Sequence, residues 1–244
     1  MTSVPFQLLK PVLPQGIPEG NQMLISGPPG SGKTILAIQF LLDGIKNGES
    51  GIFFSLEADK NALVGQMASM GMDLKKPIKE GKLDIITLDP ADIYILLDDM
   101  EQHVSRLGAK RIVLDSISIL SVYGATYRNL PEDLIAFLEK TKYTPPISTS
   151  SSIKSQMLYM TMSRIRKLGC TSVLISELSR NSKWYSRDKV SEFFCDGIIL
   201  MDYHVLGAAG VTRTLSVVKM RGTGFSEGVY EFKIAKNGIK LVKG

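Results

Sequence analysis

Residues Gly27-Pro28-Pro29-Gly30-Ser31-Gly32-Lys33-Thr34 satisfy the spacing G-x-x-x-x-G-K-[ST], and the chemistry this spacing serves is the holding of a polyphosphate. Glycines let backbone N–H groups converge on phosphate oxygens, and the positive end of a following helix adds to the field. Lys33 then neutralises the β- and γ-phosphates, while Thr34 ligates magnesium. At average composition the four fixed positions recur by chance in about one chain of this length in a hundred, so a plain glycine-rich turn is the weaker reading. The expected ligand is a nucleoside triphosphate. Its magnesium needs a carboxylate on the far side, and Asp115, ending the apolar run RIVLD, is the leading strand-terminal acid for it. A strand-terminal aspartate is also a common turn starter. Glu57, closing GIFFSLE, could orient and deprotonate an attacking water, or could be a surface acid where a helix begins.

These residues are useful only if strands and helices bring them together, and the hydropathy pattern supplies such elements. Met23 to Ser26 reads as a buried strand and Lys33 onward as a helix with Ile35, Leu36, Phe40, Leu41 and Ile45 inward. Gly51 to Leu56 and Lys82 to Leu88 read as strands, with a helix carrying Leu63, Met67 and Met70 between them. Asp89 as cap and Pro90 at the first position open a further helix bearing Ile93, Leu96, Leu97, Met100, Val104 and Leu107. Arg111 to Asp115 and Ser172 to Ser176 are short apolar runs of the kind a parallel sheet buries. After Glu192 the pattern changes to strands at about 196–206, 211–220, 229–235 and 238–242, with turns at Ala208 to Gly210 and at Asn237-Gly238. The class is therefore α/β: a mainly parallel sheet flanked by helices and extended by an antiparallel meander at the C-terminal end.

The chain has 244 residues, 44% hydrophobic and 22% charged, enough for a real core. No apolar stretch approaches the roughly 18 residues of a bilayer helix, and MTSVPFQLLK lacks the pattern of a secretory leader. A cytoplasmic protein without a membrane partner is expected. Cys170 and Cys195 match no metal-ligand spacing, and with His103 and His204 alone no zinc cluster assembles from local motifs. Both thiols are expected to be reduced. The net charge of +5 is unevenly spread: residues 151–190 carry +6, whereas residues 84–101 hold six acids and no base, read as a solvated helix face. Tyr143 to Ser152 (YTPPISTSSS) reads as a mobile loop on composition.

Taken in order, LPQGIPEGNQMLISGPPGSGKT, the strand with Glu57, Asp115-Ser116, SVLISE, EFFCDGIILM and KMRGTGFSEGVYEF resemble the KaiC-like ATPases of the RecA superfamily, above all their single-domain archaeal members. The resemblance covers nearly the whole chain and implies one RecA-like domain over residues 1–244, with an inserted helix and loop at about 127–152. It further implies magnesium-dependent ATP hydrolysis and a homo-oligomer, a hexameric ring with ATP at each subunit contact. By position, Glu57 matches the family's water-activating glutamate, and Ser69 falls where the family has a nucleotide-proximal serine. Lys219 and Arg221 match the basic pair that reaches the neighbouring subunit's ATP. The nucleotide set implied in this way comprises Gly27, Gly30, Ser31, Gly32, Lys33, Thr34 and Ile35, then Ser69, Lys219, Met220, Arg221 and Thr223. Where the family often has a second glutamate, this sequence has Ala58.

Three functions compete. The first is a ring-forming ATPase whose nucleotide state controls a partner protein. The second is a recombinase-like module that binds single-stranded DNA through residues 180–189, where Arg180, Lys183 and Arg187 interleave with Trp184 and Tyr185. The bland alternative for that segment is a solvated loop with Trp184 at a subunit contact. The third is an ATP-bound scaffold that hardly turns over, resting on Ala58.

Overall fold

The computed structural model describes residues 2–123, 150–180, 182–205 and 210–242. Its strands are β1 (Ser3–Val4), β2 (Ile17–Pro18), β3 (Gln22–Gly27), β4 (Gly51–Ser55), β5 (Leu83–Thr87), β6 (Arg111–Asp115), β7 (Thr171–Glu177), β8 (Gly197–Val205), β9 (Val211–Met220), β10 (Tyr230–Ala235) and β11 (Gly238–Leu241). The helices are α1 (Lys33–Lys46), α2 (Lys60–Ser69), α3 (Lys75–Lys79), α4 (Ile93–Leu107), α5 (Ile117–Tyr123), α6 (Ser150–Lys167) and α7 (Ser191–Phe194). Among the described residues nine strands form one sheet in the order β11-β10-β9-β8-β3-β7-β6-β4-β5. The six from β8 to β5 are parallel and the last three antiparallel, as the hydropathy pattern predicts.

Both faces of the sheet are covered, which explains why its central strands read as unbroken apolar runs. Side chains alternate across a strand. Met23, Ile25, Phe53, Val113, Val173 and Ile175 therefore pack on the side of Leu36, Phe40 and Leu41 of α1 and of Leu63 and Met67 of α2. Leu24, Ile52, Phe54, Ile112, Leu114 and Leu174 pack on the other side, against Leu96, Leu97 and Met100 of α4 and Met157, Leu158, Met162 and Ile165 of α6. The chain start closes the first layer: Phe6 meets Phe40 edge-to-face at 5.7 Å, and Leu9, Val12 and Leu13 are fully buried.

Three expectations need correction, and two lie wholly or mostly outside the described residues. The cap of α4 is Asp92, whose Oδ1 accepts from the N–H groups of Tyr94 (2.9 Å) and Ile95 (3.2 Å). Asp89 instead closes a turn with the Ala91 N–H at 2.8 Å. Both aspartates suit an N-cap, and the helix starts after the one whose following N–H groups lie in its first turn. The acidic run is also not simply a solvated face. Asp84 lies on β5 and pairs with Lys60 and Arg106, while Asp98 and Glu101 of α4 hold Arg164 of α6. Ser150 to Ser152, expected in a loop, are helical and belong to α6. The rest of the expected 127–152 insertion, and most of the turn near 208, lie outside the described residues.

A buried cation joins α1 to the sheet. Arg111, fully buried at the start of β6, donates to both Glu49 oxygens and to the Phe40 carbonyl (2.9 Å), and lies over the Phe40 ring at 4.8 Å. Gly44 makes room for it within α1, since a Cβ there would stand 2.5 Å from the Arg111 Nε. Removing one partner of a buried pair leaves a charge with nothing to offset its lost hydration. Glu49→Ala should therefore destabilise the fold by about 3 kcal/mol, read from the denaturant midpoint, whereas Arg111→Met with Glu49→Gln should cost much less.

Candidate functional site

The P-loop leaves the carboxyl end of β3, the central strand, and is cut to fit by its glycines. A Cβ on Gly27 would stand 2.2 Å from the Met201 carbonyl oxygen of β8. Gly30 (φ +78°) and Gly32 (φ +102°) hold left-handed backbone, and Gly32 is the N-cap of α1. Ser31 is buried, and its Oγ has no hydrogen-bond partner among the described residues. Lys33 is 6% exposed and folds back to donate to the carbonyls of Gly27 (2.9 Å) and Pro28 (3.0 Å). Burial lowers its pKa, and Glu177, Asp115 and Glu57 act in the opposite direction.

The two acids expected around the metal and the water face this lysine from neighbouring strands. Thr34 Oγ1 donates to Asp115 Oδ2 at 2.8 Å. Desolvation by burial pushes the Asp115 carboxyl up to about 6, against the pull of the Thr34 hydrogen bond. Glu57, just beyond β4, is exposed and accepts from Ser116 Oγ at 2.7 Å on Oε1. The backbone of the same segment is fixed: Ser55 Oγ accepts from the Ala58 N–H at 2.9 Å, and the Leu56 N–H donates to the Asp115 carbonyl at 2.7 Å.

Serine hydroxyls at the strand ends were not singled out as site residues from the sequence. Ser26 donates to the Tyr185 carbonyl, Ser118 accepts from the Glu177 N–H (2.8 Å), and Ser176 accepts from the Arg187 N–H (3.0 Å). With Ser55 and Ser116 they line the carboxyl edge of β3, β4, β6 and β7. The signal is present for four of them: Ser26, Ser55, Ser116 and Ser176 each close or follow an apolar run, in MLIS, GIFFS, RIVLDS and SVLIS, whereas Ser118 lies in α5.

The remaining expected residues lie elsewhere. Ile35 is buried in the first turn of α1. Ser69 ends α2, is exposed, and donates to the Gln66 carbonyl of its own helix at 2.7 Å. Met220 lies opposite Gly197, which lies opposite Met23, so the Lys219–Thr223 segment belongs to the amino end of β3. About 13 Å of strand separates that level from Gly27. Lys219 Nζ donates to the Glu192 and Phe193 carbonyls at 2.9 and 3.3 Å. Arg221 reaches the Phe193 carbonyl (3.5 Å) and stands 3.7 Å from Asp196. Thr223 donates to Gln15 at 2.9 Å. The basic pair shares one face, as its spacing predicts, and that face is remote from its own P-loop.

The 182–190 segment lies against the P-loop strand. The Glu192 carboxylate holds it by accepting from the N–H groups of Tyr185 (2.6 Å) and Ser186 (2.7 Å). Trp184 and Tyr185 are 43% and 40% exposed, Lys189 stands 5.7 Å over the Trp184 ring, and Arg187 is 3.9 Å from Glu177.

A family model described as the KaiC ATPase matches residues 7–156 and 146–244. The chain belongs to the KaiC ATPase family. The circadian clock oscillator protein KaiC of Synechococcus elongatus is 29% identical over 238 residues, covering 93% of this chain and 41% of that protein. The chain thus spans about two fifths of the length of the cyanobacterial KaiC relatives it matches. A UPF0273 protein of Aeropyrum pernix is 29% identical over 246 residues, covering 93% of this chain and 88% of that one. The crystal structure of a KaiC-like protein from Pyrococcus horikoshii matches with a TM-score of 0.78 at 27% identity, covering 100% of this chain and 98% of that one. The nine-stranded mixed sheet is therefore the RecA-like fold of the KaiC family. No helix among the described residues is long and apolar enough to cross a membrane.

The residues present fit a magnesium nucleotide. Ser31 offers a buried, unpartnered hydroxyl inside the loop, and Thr34 with Asp115 offers two hard oxygens 2.8 Å apart. Among the described residues no group of three or more His, Cys, Asp or Glu could hold a metal. One carboxylate, one hydroxyl, phosphate oxygens and water are the set magnesium commonly takes.

The raised Asp115 pKa gives a prediction with a definite sign. Its native value of about 6 exceeds the ordinary value of 3.8, so its contribution to stability is present below about pH 4 and lost as pH rises through about 6. At pH 7.5 the apoprotein carries an ionised carboxylate that the fold disfavours. Asp115→Asn should therefore stabilise the nucleotide-free, metal-free protein at pH 7.5, by up to about 3 kcal/mol, and leave it unchanged near pH 4. The same variant should lose the magnesium dependence of ATP binding. Thermal melts at both pH values, with and without magnesium ATP, check both halves.

Proposed function

We propose that this KaiC-family chain is a magnesium-dependent ATPase that acts as a ring, hexameric in the family manner, and whose nucleotide state controls a partner protein. We read residues 1–244 as one domain, and two free, buried cysteines suit a reducing compartment such as the cytoplasm. The observation that carries the reading is the convergence on one strand edge of Lys33, the Thr34–Asp115 pair and Glu57. Lys33 exchanges its two carbonyl partners for phosphate oxygens, and the P-loop amides orient the triphosphate. Thr34 and Asp115 hold magnesium, which when bound draws charge off the phosphate oxygens. Glu57 keeps Oε1 on Ser116 and turns Oε2 to the attacking water. Its carboxylate takes the water proton as the oxygen bonds to the γ-phosphorus and the bond to the β-phosphate oxygen breaks, giving ADP and phosphate.

The remoteness of Lys219 and Arg221 from their own P-loop supports a role in trans. A cation from the next subunit can stabilise charge on the γ-phosphate and is worth about 10³- to 10⁵-fold in rate. The alternative, a basic pair that discourages edge pairing, suits their position less well, because β10 covers the next edge beyond β9. A second reading, binding of single-stranded nucleic acid by residues 180–189, is favoured by the exposed Trp184 and Tyr185 beside exposed Lys183, Arg187 and Lys189. Binding that falls with salt and is lost in Lys183→Ala with Arg187→Ala would support it, and no binding at low salt would remove it.

Lys33→Ala should abolish ATP binding in a titration without lowering the melting temperature of the apoprotein. Glu57→Gln should bind ATP normally and hydrolyse it about 10²- to 10⁴-fold more slowly. For the action in trans, Arg221→Ala should be nearly inactive, and specific activity of the unmodified chain should rise with concentration. Mixing Arg221→Ala with Lys33→Ala should then restore part of the activity, since mixed rings contain contacts with one intact P-loop and one intact basic pair. A mixture that stays inactive while mixed rings form would confine Arg221 to its own chain.

A further inference from the structure

We propose that Ser116 is a positioning residue that sets the Glu57 carboxylate in register with the magnesium side of the site, an inference that rests on reading Glu57 as the water-activating base. β4 and β6 are paired in parallel with Ser55 opposite Asp115. Beyond the last pair the two strands stay joined by a bond between backbones, from the Leu56 N–H to the Asp115 carbonyl (2.7 Å), and by one between side chains, from Ser116 Oγ to Glu57 Oε1 (2.7 Å). Residues 56–57 and 115–116 thus form a closed rung. The same Asp115 is tied to Thr34 at 2.8 Å, so one rigid unit carries the metal-side oxygens and one oxygen of the base.

The burial of the two partners shows which holds which. Ser116 is fully buried and its place is set by the strand end, whereas Glu57 is exposed, on a side chain with three rotatable bonds. Without the hydroxyl, nothing else among the described residues bonds the Glu57 carboxylate, while its backbone stays fixed by Ser55. A carboxylate free to swing spends little of its time within reach of the water, and misplacement by about 1 Å can cost about a hundredfold in rate. Among the described residues the Ser116 hydroxyl bonds the Glu57 carboxylate and not Thr34 or Asp115, so ATP affinity should not register its loss.

The test is a double-mutant cycle read by single-turnover phosphate release, alongside ATP titrations. Ser116→Ala should lower kcat about 10- to 100-fold and leave KM for ATP and the magnesium requirement within about twofold of the unmodified chain. In the Glu57→Gln background the same change should cost less than about twofold, because no base remains to be positioned. Ser116→Cys, a weaker donor in nearly the same space, should fall between serine and alanine. If Glu57→Gln is slow but Ser116→Ala turns over as fast as the unmodified chain or faster, the positioning role is overturned and Glu57 stands. Equal losses in both backgrounds, or a rise in KM without loss of kcat, also overturn it, since the hydroxyl would then serve the fold or the nucleotide. Full turnover in Glu57→Gln removes the base and the positioning role together.

Discussion

A buried ammonium group is the constraint around which this site is arranged. Lys33 is almost fully enclosed, and a cation so placed needs oxygen on every side to offset its lost hydration. Two carbonyls of its own loop and the field of Glu177, Asp115 and Glu57 supply that oxygen. Three acids can approach one lysine only if their strands run parallel and end at the same level, which is what the pairing of β3, β7, β6 and β4 provides. The sheet in turn can be parallel only because helices cover both faces, and so the two apolar layers follow from the same requirement.

The strand ends raise a second problem that serine solves. Where parallel strands stop, backbone groups and loop atoms are buried before they reach water, and each needs a partner. Ser26, Ser55, Ser116, Ser118 and Ser176 provide short hydroxyls that donate or accept as required. An apolar side chain at these places would leave the loops untied. The same hydroxyls connect the P-loop strand to the 182–190 segment, which Glu192 joins to α7, whose end carbonyls hold Lys219 and Arg221. Hydrogen bonds therefore run from the P-loop end of the sheet to the basic pair at the other end.

Much of this was legible in the sequence because the dominant signals are local. The P-loop spacing, the apolar runs of a doubly covered sheet and the Asn237-Gly238 turn each depend on a few neighbouring residues. The hairpin does turn there, on Lys236 and Asn237, with Asn237 and Gly238 both at positive φ. What the sequence left open depends on contacts distant along the chain. Asp89 and Asp92 are equally good caps by type, and only the seating of α4 on the sheet chooses between them. Asp84, Asp98 and Glu101 read as solvated because Lys60, the partner of the first, and Arg164, the partner of the other two, lie 24 and more residues away. Ser116 was invisible as a partner of Glu57 for the same reason: 59 residues separate them, and β4 and β6 become neighbours only through the crossover of β5 to the sheet edge.

The groups of the candidate site are not all matched by partners within the chain. Burial raises the Asp115 pKa, the Ser31 hydroxyl has no partner among the described residues, and Lys33 donates to two carbonyls of its own loop. On the proposed function one ligand would answer all three: magnesium would favour the Asp115 anion, phosphate oxygens would partner the serine, and the lysine would gain a charge partner. A site built of groups content in the apo state would give a more stable protein with less to gain from nucleotide. These groups lie at the carboxyl edge of the strands, whereas the Arg111–Glu49 pair and the apolar layers are satisfied within the chain. Binding energy can therefore act on the edge, and on the loop and basic pair hydrogen-bonded to it, without first having to unfold the core.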